Sequence, residues 1–368
     1  MSSVKVIHLG VGGVGTALLE QSLSLRPRDA AAISLVAVSD IYAALWSDTG
    51  LDRGRLQELV ALKAQAKSIA DLAGNGDLQG FYQWAEEQVA PGQPPTIVVD
   101  TTASDDTLPL LLRAAANGHG VVLANKRPVS ASQSVWDALN AGGRLRYEAT
   151  VGAGLPVLYV LDYLQRTGDS VTAIEGMLSG TLGYLFSRLE AGDSYSGAVS
   201  KAREQGYTEP DPRDDLGGMD VARKALILAR TVGRRLELSD LPIEALYPQE
   251  LAGLTVDEFM QRASEVDAAF SARLSQAAAK GEVLRYLAQV DSSGVSIGVR
   301  SVPRSSQFGA LAGPDNLVSI TTARYTEPLA PIRLMGPGAG RSVTGAGVLR
   351  DVLDLAQAMR AEGASAPL

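Results

Sequence analysis

The sequence predicts an α/β protein in which a doubly wound parallel sheet is joined to a second domain of the α+β class. Near the N-terminus, an apolar strand leads into a glycine-rich turn at 10–15 and then into an apolar helix, an arrangement typical of a dinucleotide-binding unit. Apolar strands alternate with helices up to Tyr147, which indicates a parallel sheet. After Glu148 strands and helices fall into separate runs, as in α+β domains.

Composition narrows the class of protein. The chain has 368 residues, of which 46% are hydrophobic, so it can bury two cores. A net charge of -8 and a pI near 5.0 argue against nucleic acid or an anionic membrane as a partner. The absence of cysteine excludes disulfides, thiolate zinc sites and a cysteine nucleophile. We find neither a cleavable signal nor an apolar run of membrane-spanning length, so we expect a cytoplasmic protein.

The first strand, predicted over Val4–Leu9, ends at the motif G-x-G-x-x-G. Glycines let the backbone turn tightly and approach a pyrophosphate, and the N-terminus of the following helix offers free N–H groups. Because a strand precedes the motif and a helix follows it, the pattern predicts a bound dinucleotide. The residues expected to contact this cofactor are Gly10, Gly12, Gly13, Val14 and Gly15. His8, within the strand, is expected to be a core histidine with its hydrogen bonds satisfied.

Asp40 ends the second predicted strand, Ile33–Ser39. A carboxylate at this position can accept a hydrogen bond from the ribose 2′-hydroxyl of NAD and would repel the 2′-phosphate of NADP. No arginine follows until Arg53. The sequence therefore favours NAD over NADP, with NADP still possible.

Polar residues follow two further strands of the predicted sheet. Thr101 and Thr102 come after the strand at 97–100, and Lys126 comes after the strand at 121–124. Because open α/β sheets bind ligands at the carboxyl ends of their strands, we expect these side chains near the cofactor. The other elements predicted in this half are a helix over Leu56–Leu72, a loop over Gly74–Gly80 and a helix over Leu108–Asn117.

The most informative segment of the second half runs from Gly206 to Lys224. Its two prolines stiffen an acidic loop that we expect to stay non-helical before Asp214. Asp215 is predicted to cap a helix that runs through Val232. Within that helix Asp220 and Lys224 lie one turn apart at the edge of an apolar stripe, which places an ammonium beside a carboxylate. The other elements predicted here are helices over 156–165, from 179 and within 254–280, strands at 171–177, 284–290, 295–302 and 317–322, a loop over 336–340, and a helix over 344–360.

Together these landmarks resemble the homoserine dehydrogenase family. The matching segments, in family order, are 10–15, 124–128, 148–156, 179–182, 206–224 and 336–340. The segments at 148 and 206 are highly specific, whereas the first glycine turn is shared by many dehydrogenases. The resemblance implies reversible reduction of L-aspartate 4-semialdehyde to L-homoserine with NADH or NADPH, a step toward threonine and methionine. It also implies a Rossmann domain over 1–147 with 341–368, and a catalytic and dimerisation domain over 148–340.

The resemblance also implies roles for individual residues. Lys224 resembles the acid–base lysine of the family, and Lys126 the lysine near the nicotinamide and substrate. Asp220 is implied in catalysis and, with Glu209, in binding the substrate ammonium. Further substrate contacts are implied for Tyr207, Thr181 and Asp215, and further cofactor contacts for Gly206 and Gly340. Glu148, Val151, Ala153 and Leu155 match a site for a monovalent cation, expected to be sodium, which is built mostly from backbone carbonyls.

Several expectations follow from these assignments. The two amines, Lys126 and Lys224, should converge on one substrate carbonyl oxygen. The protein should be a homodimer that binds a small-molecule substrate, without the ACT regulatory domain that many bacterial relatives carry. Two alternatives stay open because fold does not determine substrate, namely another dehydrogenase on this fold and a catalytically silent NAD-binding protein. Aspartate-semialdehyde dehydrogenase is excluded, since its thioester chemistry needs a cysteine.

Overall fold

The structure is a computed structural model that describes residues 3–326 and 330–365. The chain divides into two compact units, one of Met1–Gly154 with Ala339–Leu368 and the other of Leu155–Gly338. The predicted boundaries at 147/148 and 340/341 differ from these by a few residues, since 148–154 and 339–340 belong to the first unit. Within the described ranges, no helix has the length and apolar character needed to span a membrane.

The first unit contains a six-stranded sheet of order β3-β2-β1-β4-β5-β6. Its strands are β1 Val4–Leu9, β2 Ile33–Ser39, β3 Ala44–Trp46, β4 Thr96–Asp100, β5 Gly120–Leu123 and β6 Leu145–Arg146. Neighbouring strands are parallel, except that the short β3 runs antiparallel to β2. The predicted doubly wound sheet is thus confirmed. The chain turns to opposite sides of β1 to form β2 and β4, so the carboxyl ends of β1 and β4 flank the switch point where such folds bind ligands.

The helices of the first unit differ from prediction most between residues 53 and 88. The helix expected over Leu56–Leu72 begins at Arg53, after Asp52 caps its N-terminus, and ends at Ala64 because Ala66 takes a left-handed φ of 57°. The prediction of a loop over Gly74–Gly80 is wrong in part, since Asp77 caps a helix that begins at Leu78. The longer helices described here are Gly13–Ser22, Arg53–Ala64, Leu78–Gln88, Leu108–Ala116, Gln133–Asn140 and Arg341–Ser365, with short helices at Pro27–Ala30 and Lys126–Ser130.

The final helix, Arg341–Ser365, completes the core of the first unit. It presents apolar residues at helical spacing, including Val348, Val352 and Leu355, to a cluster that contains Ile97 and Val122 of the sheet. All of these side chains are buried. The first unit therefore draws its core from both ends of the chain.

The second unit contains an antiparallel sheet of order β11-β10-β7-β8-β9, which confirms the α+β class. Its strands are β7 Val171–Met177, β8 Glu282–Asp291, β9 Gly294–Pro303, β10 Asp315–Thr322 and β11 Ile332–Pro337. β11 was not predicted, and it includes the first two residues of the expected loop 336–340. The helices described in this unit are Val157–Arg166, Gly180–Glu190, Tyr195–Glu204, Arg213–Leu216, Met219–Thr231, Val256–Arg262, Asp267–Ala278 and Gln307–Ala310.

Candidate active site

The glycine-rich turn lies at the carboxyl end of β1 and is held by backbone hydrogen bonds. The N–H groups of Gly10 and Val11 donate to the Ser39 carbonyl at 2.9 Å, and the Gly12 N–H donates to the Gly10 carbonyl at 2.8 Å. Gly10 has a φ of 90°, and a Cβ there would stand 2.6 Å from Thr102 Cγ2. Only glycine fits this position without strain.

The helix after the turn begins at Gly13 with no side chain capping it, and Gly12 is its N-cap. A Cβ on Gly12 would meet no protein atom within 4 Å, whereas a Cβ on Gly15 would collide with the Gly10 carbonyl. The turn therefore combines open space above Gly12 with the positive end of a helix dipole. These features fit the pyrophosphate of a dinucleotide.

Asp40 lies where predicted, after β2, but its carboxylate is already engaged. Oδ2 accepts hydrogen bonds from Ile69 N at 2.8 Å and Lys63 Nζ at 3.0 Å, and Oδ1 from Tyr42 N at 2.9 Å. The Ser68 hydroxyl contacts both oxygens. The hydrogen bonds, led by that from Ile69, lower the pKa of Asp40 although burial opposes them. A ribose hydroxyl would have to displace one of these donors.

A buried pair that was not predicted organises the ends of β4 and β5. Asp100 accepts hydrogen bonds from Thr102 N at 2.8 Å and from Asn125 Nδ2 at 3.0 Å. Asn125 also accepts from Arg127 N at 3.1 Å and so caps the helix that begins at Lys126. The pair fixes the backbone that carries Thr102 and Lys126. A sequence signal was present, since Asp100 is the last residue of β4 and Asn125 comes two residues after the end of β5.

The acidic loop of the second unit is anchored by Arg213. Its guanidinium pairs with Asp211 at 2.7 Å and donates to the carbonyls of Ala252 and Leu254. The prediction that Asp215 caps the long helix was wrong, and so was the expectation that no helix begins before Asp214. Residues Arg213–Leu216 form a short helix of their own, and the long helix begins at Met219 after Gly218, which has a φ of 73°. A side chain at position 218 would collide with the Tyr286 hydroxyl.

Lys224 lies on the long helix, with only 8% of its surface exposed. Its ammonium donates to the Leu178 carbonyl at 2.6 Å and pairs with Asp220 at 2.7 Å, as the spacing predicted. These contacts use two of the three donors of the ammonium. The charge is thus held in a fixed position, and within the described part of the chain these contacts leave one donor for a ligand.

Carboxylates of the acidic loop and of the long helix lie near one another. Asp215 accepts a hydrogen bond from Glu209 N at 2.8 Å and lies beside the Thr181 hydroxyl, which donates to the Tyr207 carbonyl at 2.7 Å. Burial raises the pKa of Asp215, and the charges of Glu209 and Asp220 add to that rise. The cluster therefore favours a cationic group such as a substrate ammonium.

An aromatic stack holds the same loop. Tyr207 lies on Tyr184 of the helix Gly180–Glu190, with ring centroids 4.2 Å apart and planes inclined by 17°. The Tyr184 hydroxyl also donates to Gln205 at 3.0 Å. Gly206, between these contacts, has a left-handed φ of 72°. The predicted substrate residues of the second unit thus form one constellation, while Gly340 lies in the first unit beside the start of the final helix.

The predicted cation segment forms a tight buried turn. Glu148–Thr150 is a 3₁₀ turn, and the next turn is made by Gly152 and Ala153, with φ values of 80° and 56°. Val151 and Ala153 are buried, while Leu155 begins the second unit. A buried turn of small residues can offer carbonyl oxygens to a hard cation, so the segment fits such an ion.

Asp351 holds this turn by accepting a hydrogen bond from Glu148 N at 2.8 Å, and burial raises the pKa of Asp351 to about 6. A carboxyl whose folded pKa exceeds its unfolded value makes the protein less stable as pH rises from about 4 to 6. We expect Asp351→Asn to remove that slope and to stabilise the protein at pH 8 by on the order of 2–3 kcal/mol. Urea unfolding of both proteins in choline buffer at pH 4 to 8 measures the free energy of unfolding. A difference between wild type and variant that stays constant over this pH range would contradict the prediction.

Comparison with known proteins identifies the family. A family model described as homoserine dehydrogenase matches residues 156–353. Homoserine dehydrogenase of Saccharomyces cerevisiae is 34% identical, with 96% of this chain and 98% of the yeast protein covered. A bifunctional aspartokinase/homoserine dehydrogenase of Zea mays is 38% identical over 95% of this chain, which spans only 38% of that protein.

A solved structure supports the fold. A hyperthermophilic archaeal homoserine dehydrogenase in complex with NADPH superposes with a TM-score of 0.73 at 21% identity, covering 97% of this chain and 98% of the other. At this identity the likeness concerns the fold alone. The family model and the full-length match to the yeast enzyme carry the assignment. This chain belongs to the homoserine dehydrogenase family.

Proposed function

We propose that this chain catalyses the NAD(P)-dependent interconversion of L-homoserine and L-aspartate 4-semialdehyde. The observation that carries the proposal is the buried Lys224 ammonium, held by the Leu178 carbonyl and Asp220 beside further carboxylates. In the family, this reaction belongs to the aspartate pathway toward threonine and methionine. The role of each residue follows from its charge and contacts.

A bound nicotinamide supplies or accepts the hydride. When an aldehyde carbon receives a hydride, its oxygen becomes an alkoxide that needs a positive charge and a proton. Lys224 can supply both through its remaining N–H, and Asp220 keeps that ammonium oriented. Lys126 is proposed as a second positive charge at the same oxygen. Glu209 and Asp220, with Asp215 near them, would bind the substrate ammonium and so select an amino-acid aldehyde over a plain one.

The direct test is to incubate the protein with L-homoserine and NAD while following the absorbance of reduced nicotinamide. Turnover of homoserine but not of a simple primary alcohol supports the proposal. Binding of NADH without turnover of homoserine would favour the silent dinucleotide-binding alternative. Turnover of another amino or sugar alcohol in preference to homoserine would favour a different dehydrogenase.

For cofactor choice, we propose a preference for NAD. The support is the Asp40 carboxylate at the end of β2, which is largely buried and pairs with Lys63 at 3.0 Å. We expect kcat/KM to be higher with NADH than with NADPH by about 3- to 10-fold, a modest ratio because the carboxylate is already hydrogen-bonded. Steady-state kinetics with both cofactors measures the ratio, and a strong preference for NADPH would refute this use of Asp40.

We also propose that the turn 148–155 holds a sodium ion through backbone carbonyls of Glu148, Val151, Ala153 and Leu155. Its support is the buried left-handed turn described above. We expect sodium chloride to raise the melting temperature by about 2–5 °C relative to choline chloride of equal ionic strength. Equal melting temperatures in both salts would contradict a bound sodium ion.

A homodimer and a cytoplasmic location remain predictions. The second unit exposes Tyr159 and Tyr163, one turn apart on a helix, as well as Met335 on β11, and apolar groups of this kind suit a protein interface. Light scattering coupled to size exclusion would give the mass in solution. Cell fractionation would test the location. We expect neither nucleic acid nor a membrane among the partners.

A further inference from the structure

The imidazole of His8 is a buried polar group that the proposed chemistry does not use. His8 lies in β1 and is fully buried, opposite Val38 of β2 and Val99 of β4. Its Nε2 lies 2.9 Å from Thr101 Oγ1, and its Nδ1 has no hydrogen-bond partner among the described residues. The expectation of a fully satisfied core histidine was therefore only half right. A buried nitrogen without a hydrogen-bond partner costs free energy of folding, so the hydrogen bond at Nε2 must offset that cost.

The hydrogen bonds of Thr101 determine which nitrogen of His8 carries the proton. The Thr101 hydroxyl donates its single hydrogen to the Gly10 carbonyl at 2.7 Å, with the Leu9 carbonyl farther away at 3.2 Å. The oxygen of Thr101 then accepts from His8, so the imidazole is neutral with its proton on Nε2. Burial lowers the pKa of His8 to about 4, which keeps the ring neutral at physiological pH.

The His8 ring also lies directly below the glycine turn. A Cβ on Gly15 would stand 3.0 Å from both Cε1 and Nε2 of His8. The imidazole therefore fills the space that Gly15 leaves open and, through Thr101, fixes the carbonyl of Gly10. Both glycines belong to the proposed pyrophosphate-binding turn. The chain from His8 to Thr101 to Gly10 couples a core side chain to the backbone that meets the cofactor.

We propose that His8 is a positioning residue for the dinucleotide, which sets the geometry of the glycine turn through Thr101 and through contact with Gly15. The proposal rests on the proposed function, because it assumes that the turn binds the cofactor. It predicts that His8 influences cofactor affinity and leaves the chemical step unchanged. It also predicts that cofactor binding changes the surroundings of the imidazole.

The chain offers a matched control, because His119 is its only other histidine. His119 is also buried in the first unit, but it accepts from Thr96 N and contacts the Ala90 carbonyl. Histidine-labelled protein should therefore give two imidazole signals in NMR spectra, and loss of one signal in His119→Gln assigns both. On titration with NADH, the His8 signal should shift with saturation and the His119 signal should stay in place. The nitrogen shifts of His8 should report the tautomer protonated on Nε2.

Kinetics of variants test the same proposal. His8→Val should raise KM for NADH by about 5- to 10-fold with kcat within about twofold, since one hydrogen bond and one packing contact are lost. His8→Gln, which can return an N–H toward Thr101, should recover part of that affinity. His119→Gln should leave KM for NADH unchanged.

The outcomes separate this proposal from the proposed function. A His8 signal that stays unchanged while NADH fluorescence shows saturable binding overturns the positioning role alone. The positioning role is also overturned if His8 is protonated on Nδ1, or if the His8 and His119 variants change KM for NADH equally. Absence of any NADH binding overturns both proposals together.

Discussion

Replacing Lys224 by methionine is expected to lower kcat by about 10³- to 10⁴-fold while KM for NADH changes less than about twofold. The loss is large because one ammonium would supply both the charge and the proton for the developing alkoxide. Methionine keeps most of the volume of the lysine stem, so the buried helix stays packed. Single-turnover measurements would show whether the loss falls on hydride transfer rather than on product release.

The structure offers a control for Lys224. Lys201 pairs with Asp193 at 2.9 Å in the same unit, and its side chain is far more exposed than that of Lys224. Lys201→Met should keep kcat within about twofold, since exposed ion pairs contribute little. The Leu178 carbonyl loses its donor in Lys224→Met, so melting curves must show that the variant is folded. A folded Lys224→Met protein with near-normal turnover would remove the basis of the proposed mechanism.

Gly12→Ala should raise KM for NADH by about 10- to 100-fold while the free energy of unfolding stays within about 0.5 kcal/mol of that of the wild type. Gly12 has a φ of -87°, which lies outside the left-handed region that favours glycine, and its Cβ would meet no protein atom within 4 Å. The added methyl would instead occupy space that the pyrophosphate needs. The effect on cofactor binding would thus be separate from any effect on folding.

Gly253→Ala is the matched control, because a Cβ at Gly253 also meets nothing within 4 Å and this glycine lies in the second unit. It should change neither KM for NADH nor stability. Isothermal titration with NADH and urea unfolding of both variants would measure the two effects. Equal NADH affinity of Gly12→Ala and the wild type would contradict pyrophosphate binding at this turn.

The features that could be predicted from sequence are those with a local cause. Hydrophobic runs located β1, β2 and β7 to the residue, because buried strands need continuous or alternating apolar residues. The spacing of Asp220 and Lys224 implied their contact, since a helix brings such residues together. The boundary of the long helix was missed because Gly218, not the acidic residue before it, makes the turn.

The sequence by itself determined the fold class, the glycine turn and the identity of the lysine and carboxylates of the proposed site. Only the tertiary structure decided that Lys63 and Ser68 engage Asp40, that Asn125 pairs with Asp100, and that Thr101 meets His8 across 93 positions of sequence. The physical reason is the distance along the chain over which each effect acts. Helix and strand periodicity act over a few neighbouring residues, whereas a buried polar group finds its partner only after distant segments have packed together.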